Sequence, residues 1–178
     1  EDLIQKEGPE TIGAFIAEPV MGAGGVIIPP KGYFEAVQRV LKKHSILFIA
    51  DEVICGFGRT GNMWGSETFS LTPDILTCAK ALSSAYLPIS AVLVSSEVVA
   101  GVEKQANRLG IFGHGYTYSA HPVSAAVALK TLELMDERKI VQHVKDVSEK
   151  FRERVSRLKK YSCVGDTRAI GLLGAMEF

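Results

Sequence analysis

Only about eight residues, Pro88 among them, separate Lys80 from the apolar run Ile89 to Val94, and a parallel crossover needs a dozen or more. That run and the one before it, Ile75 to Ala79, therefore pair antiparallel, with Lys80 at the start of the turn of a hairpin. Upstream the spacing says the opposite. Thr11 to Ala17 reads as a short buried strand, broken by Glu18-Pro19, and a Gly- and Pro-rich stretch runs from Met21 to Pro30. Gly32 to His44 then carries Phe34, Val37, Val40 and Leu41 at helical spacing, ahead of a second strand from Ile46 to Ala50. Strand, helix and strand make a βαβ unit, whose strands run parallel and join right-handedly. Gly56 to Thr72 is long enough for another crossover into the third strand. The expected fold is α/β: a mostly parallel sheet with one antiparallel hairpin, covered by helices.

The rest of the chain reads as mostly helical. Ser95 or Ser96 caps a helix reaching about Ala106, and a loop rich in glycine and aromatics spans Leu109 to His121. Pro122 opens a long helix with Val123, Val127, Leu129 and Leu132 on its buried side, a further helical stretch runs from Ile140 to Lys159, and Gly171 to Phe178 reads as a strand just begun. The opening Asp2 to Gly8 segment closes another helix.

Charge narrows the partners. Twenty Lys and Arg balance twenty Asp and Glu with no basic block, which argues against nucleic acid and an anionic membrane surface and for small molecules. Cys55, Cys78 and Cys163 show neither metal nor redox spacing and suit a reducing compartment, so the expected location is cytoplasmic. The four histidines form no ligand spacing, and no metal is expected. No apolar stretch of the visible chain is long enough to span a bilayer.

Asp51 and Lys80 each follow an apolar run, and the crevice outside the carboxyl ends of strands is where open α/β sheets bind ligands. An amine and a carboxylate in one cleft suggest pyridoxal 5'-phosphate, which needs a lysine for its aldehyde and an acid for its ring nitrogen.

The strings EPVMGAGG, FIADEVICGFGRTGNMWGSE, PDILTCAKALSSAYLPISAV, GHGYTYSAHP and VGDTRAIGLLGAMEF, in this order, resemble the class III aminotransferases, most nearly their ω-amino acid:pyruvate branch. The resemblance implies a fold type I pyridoxal-phosphate enzyme. Residues 1–136 correspond to part of the large cofactor-binding domain, and 137–178 to a linker helix and the start of the small C-terminal domain. The family's phosphate-binding turn, ring-stacking aromatic residue and substrate-binding arginine have no counterpart here. The 178 residues are thus expected to be less than half of an enzyme, with little or no activity alone.

By the same resemblance Lys80 is the Schiff-base lysine and the general base, then acid, of the reaction, while Asp51 pairs with the cofactor's ring nitrogen. Val53 offers an apolar face to the ring, pointing the same way as Asp51 if the strand persists. Thr117 reaches across a dimer interface to the phosphate of the neighbouring subunit's cofactor, which implies a homodimer with shared sites. Glu18 supports Asp51 from behind. Read without the motifs, Lys80 is a solvated lysine at a turn, Val53 is core, and Thr117 is a loop threonine bonding its own backbone.

Two positions depart from the wider family. Ile54 stands where many members carry a glutamine that bonds the cofactor's phenolic oxygen. Ala23 stands where ornithine and γ-aminobutyrate relatives have a second glutamate, which argues against those two substrates. Gly56 to Gly61 lacks the ending of a P-loop and reads as a tight turn near the interface, with Arg59 a structural ion-pair partner. The expected activity of the full-length protein is amino transfer between an amine or ω-amino acid and a keto acid such as pyruvate. The alternatives are a mutase or decarboxylase on the same scaffold, or a catalytically silent interaction module.

Overall fold

A computed structural model describes residues 1–178. Its main sheet has four strands in the order β1 (Ala14–Ala17), β2 (Leu47–Asp51), β3 (Ile75–Cys78) and β4 (Ala91–Val94). The first two pairs are parallel, with Ala17 opposite Ala50 and Asp51 opposite Thr77. The last pair is antiparallel, with Cys78 opposite Ala91. The short Lys80–Ile89 gap therefore has the consequence expected of it.

Around the sheet lie α1 (Asp2–Glu7), α2 (Tyr33–Lys43), the four-residue α3 (Gly65–Thr68), α4 (Ser96–Leu109), α5 (Pro122–Glu137) and α6 (Ile140–Ser156). Helix α2 buries Phe34 and Leu41 against Phe48 of β2, with Ile4, Ile46 and Leu71 completing that cluster. Leu76 and Cys78 of β3 pack with Phe57, Leu82 and Ala128 of α5. In register, Phe48, Ala50, Leu76 and Cys78 share one buried sheet face. The opposite face is left partly bare: Ile16 is 58%, Val92 63% and Val94 45% exposed.

Several boundaries move for local reasons. β1 starts at Ala14 because Pro9–Thr11 forms a 3-10 turn whose Thr11 hydroxyl donates to Glu7 O and Gly8 O. The Gly56–Thr72 connection holds only the single turn α3, not a full crossover helix. Ser95 Oγ accepts from Val98 N at 3.4 Å, and α4 runs on to Leu109, where Gly110 adopts the left-handed conformation. In α5 the buried residues are Ala128 and Thr131, whereas Val123 and Leu129 are 56% and 63% exposed, because no element covers their side of the helix.

The tail is a hairpin rather than a lone strand. β5 (Asp166–Ile170) pairs antiparallel with β6 (Leu173–Glu177) around Gly171, whose φ is 55°. Phe151 and Val155 of α6 back it at Gly174.

Candidate active site

Asp51 is the last residue of β2, and its Oδ1 accepts from the backbone N–H of Val53 at 3.0 Å. That side-chain turn ends the strand, so Val53 does not continue the alternation expected of it. Asp51 borders a hollow that also includes Glu18, Met21, Tyr33 and Phe34. Val53 borders a second one, with Lys80, Ile54, Arg59, Ser84 and Leu173. Ile54 links the two regions: its Cδ1 lies 2.6 Å from where a Cβ on Gly22 would stand, and Gly22 follows Met21. Glu18 Oε2 in turn accepts from Gly22 N at 2.9 Å, fixing the loop after β1.

Lys80 opens a 3-10 turn, Lys80–Ser83, with a φ of 46°, in the left-handed region that side chains avoid. Ser84 and Ala85 follow at 49° and 62°. Each such residue costs on the order of 1–3 kcal/mol, and such strain clusters at sites where a side chain must be aimed. Ala85 N closes the turn onto Lys80 O at 3.3 Å. The hairpin thus places Lys80, which is exposed, at the same edge of the sheet where β2 ends on Asp51.

Thr117 stands apart. It lies in the exposed loop before α5 and borders neither hollow. Its neighbours Tyr116 and Tyr118 are 77% and 82% exposed. Arg59 is exposed and belongs to none of the chain's ion pairs, which corrects the structural pairing expected for it; instead its backbone carbonyl accepts from Leu172 N at 2.9 Å.

One residue of the site escapes sequence reasoning. Glu52, between Asp51 and Val53, is 0% exposed. Its carboxylate accepts from Gly65 N at 2.8 Å and from Ser66 N and Ser66 Oγ at 2.6 Å each. Two of those partners are backbone groups, which no residue pattern advertises. Close by, burial pushes the Cys55 thiol up to about 12, against the opposing effect of its hydrogen bond to Val20 O.

The donor set suits pyridoxal 5'-phosphate: an amine at a fixed turn, apolar Val53 and Ile54 in the same cavity to flank an aromatic ring, and a carboxylate at the neighbouring strand end. Comparison with known proteins agrees. The family model "Aminotransferase class-III" matches residues 1–178. The chain is 58% identical over 178 residues to a probable γ-aminobutyrate transaminase 2, mitochondrial, of Oryza sativa subsp. japonica, covering all of this chain and 36% of that protein. It is 59% identical to the chloroplastic γ-aminobutyrate transaminase 3 of Solanum lycopersicum, again along its whole length and 34% of the relative's. Among solved structures, the ω transaminase from Pseudomonas jessenii in complex with PMP superimposes with a TM-score of 0.96 at 49% identity, over 99% of this chain and 39% of that one. A transaminase with L-ala does so with the same score at 52% identity, over 99% of this chain and 42% of that one. The chain therefore spans little more than a third of the curated relatives it matches.

Proposed function

The chain belongs to the class III aminotransferases, and from that premise we propose that the full-length protein moves an amino group between an amine or ω-amino acid and a keto acid such as pyruvate. One observation carries the reading most directly: the strained hairpin turn sets Lys80 on a hollow it shares with Val53, at the edge where β2 ends on Asp51.

Class III aminotransferases use pyridoxal 5'-phosphate, which when bound supplies an electron sink for the pair left as a C–H bond next to nitrogen breaks. The chain's own groups do the rest. Lys80 Nζ would hold the cofactor's aldehyde carbon, and as a free amine it would serve as the base that takes a proton from the substrate carbon and the acid that gives one back. The Asp51 carboxylate would keep the ring nitrogen protonated and Val53 would offer the ring an apolar face, while Glu18, on the same hollow as Asp51, holds the Gly22 loop. Thr117 supplies a hydroxyl to the phosphate in the neighbouring subunit, so the protein works as a homodimer with shared sites. The exposed Ile111, Phe112, Tyr116 and Tyr118 around Thr117 support an interface there.

The same reading assigns 1–136 to the large domain and 137–178 to a linker helix and the start of the small one, in keeping with the separate sheet formed by β5 and β6. The bare face at Ile16, Val92 and Val94 is then covered by the rest of the large domain. The names of the rice and tomato relatives put γ-aminobutyrate among the candidate donors, against the expectation drawn from Ala23. The proposed compartment is cytoplasmic and reducing, in keeping with three free cysteines, although the names of those relatives include mitochondrial and chloroplastic. No helix is long and apolar enough to cross a membrane.

The test uses the full-length protein. With pyridoxal 5'-phosphate it develops the absorbance band of a conjugated imine, and Lys80→Ala abolishes the band. Given an amine donor, including γ-aminobutyrate, the parent converts pyruvate to alanine. A cofactor band without keto acid consumption identifies the mutase or decarboxylase alternative, and no band in the parent identifies the silent module.

A further inference from the structure

Glu52 is among the least exposed residues of the chain, at 0%, yet it carries a carboxylate and belongs to none of the ion pairs. A buried carboxylate without a cation persists only where hydrogen-bond donors replace its water. Gly65 N, Ser66 N and Ser66 Oγ do so at 2.8, 2.6 and 2.6 Å. The approach is close because residue 65 has no side chain: a Cβ there would lie 2.7 Å from Cys55 Cβ and 2.9 Å from Pro19 Cβ. Pro19, Val20 and Cys55 are themselves fully buried, so the pocket around the carboxylate is walled on all sides named.

The backbone of residue 52 is held as firmly. Its N–H donates to Thr77 O at 2.9 Å, continuing the β2–β3 ladder one step past Asp51, and its carbonyl accepts from Gly56 N at 2.9 Å. Asp51 and Val53, the two flanking residues, are those read above as partners of the cofactor ring. They reach different hollows because the chain turns between them.

We propose that Glu52 is a positioning residue for the cofactor site: its buried carboxylate, drawn inward onto Gly65 and Ser66, sets the turn that aims Asp51 at the ring nitrogen and Val53 at the ring face. The inference rests on the reading of Asp51 given under Proposed function. It predicts that weakening the Glu52 anchor acts on cofactor binding through Asp51, not merely on stability.

The experiment is a double-mutant cycle in the full-length protein, reading cofactor dissociation by quenching of protein fluorescence on titration with pyridoxal 5'-phosphate. Ser66→Ala removes one of the three donors and should weaken binding about tenfold or more, the loss expected for a hydrogen bond to a charged group. On an Asp51→Asn background, the same substitution should change binding by less than about twofold, since coupled neighbours are not additive. Glu52→Gln should behave like Ser66→Ala but more strongly; if it fails to fold, Ser66→Ala alone decides. The thermal midpoint of the cofactor-free protein is measured in parallel. Equal losses on both backgrounds, or no loss from Ser66→Ala, overturn the positioning role. If Asp51→Asn alone leaves binding unchanged, the reading of Asp51 falls too, and that outcome is distinct from the first.

Discussion

Asp51 uses one carboxylate oxygen on its own chain, accepting from Val53 N at 3.0 Å through Oδ1, and so ends β2, while Oδ2 makes no hydrogen bond within the chain. An asparagine keeps the turn acceptor and loses the charge; an alanine loses both. Asp51→Asn in the full-length protein should therefore leave the thermal midpoint within a few degrees of the parent and lower kcat/KM on the order of a hundredfold or more. Asp51→Ala should lose a further 1 kcal/mol or so of stability with the hydrogen bond. Denaturant titration beside steady-state kinetics separates the two effects, and equal stability losses in both variants would remove the turn from the account.

Gly171 turns the β5–β6 hairpin at a φ of 55°, and a Cβ there would lie 2.4 Å from Arg59 O and 2.6 Å from Thr60 C and Cα. These are backbone atoms, which cannot swing aside. Gly171→Ala should cost about 2 kcal/mol or more and break the Leu172 N to Arg59 O bond that ties the hairpin to the Gly58–Gly61 turn. Gly174→Ala is the control, because its nearest obstacle, at 2.9 Å, is the ring of Phe151, a half-buried side chain rather than backbone. Chemical denaturation of the two variants should rank them in that order.

The four-stranded sheet was legible in the sequence because chain length decides strand direction: the short gap after Lys80 forbids a crossover, and the helix before β2 supplies one. Lys80 and Asp51 were legible as an amine and an acid at strand ends. β5 was not, since Asp166-Thr167-Arg168 offers no apolar alternation and its strand is set by pairing with β6 and by the ion pairs of Arg168. Val123 and Leu129 misled because helical spacing identifies an apolar stripe but not whether anything covers it. Glu52 was invisible for a different reason: its partners lie 13 and 14 residues away, and two of them are backbone amides.

The thiols should differ sharply in reactivity. Cys55 is fully buried with its thiol pushed up to about 12 by desolvation, and burial raises Cys78 as well, while Cys163 is exposed. Iodoacetamide at about pH 8 should therefore label Cys163 and spare Cys55 and Cys78 until the protein is unfolded, as read by peptide mass mapping. Labelling of native Cys55 at a rate comparable to Cys163 would contradict the packing around Val20.

Arg168 clamps the loop after β1 from the far end of the chain: its Nε and Nη2 donate to Gly25 O at 3.0 and 2.8 Å, while Asp166 and Glu177 take its remaining charge. Asp166 is held down to about 2, below its usual 3.8, first by the Lys159 ammonium at 3.0 Å and then by Thr167 N and Arg168. A carboxylate whose folded pKa is depressed stabilises the fold fully above the unfolded value and loses that contribution as pH falls through the folded one. The window here runs from 3.8 down to about 2. Asp166→Asn removes the titrating group, so the thermal midpoints of parent and variant should differ above about pH 4 and converge as the pH approaches 2. Two curves that stay parallel across that range would show that Asp166 carries no pH-linked stability.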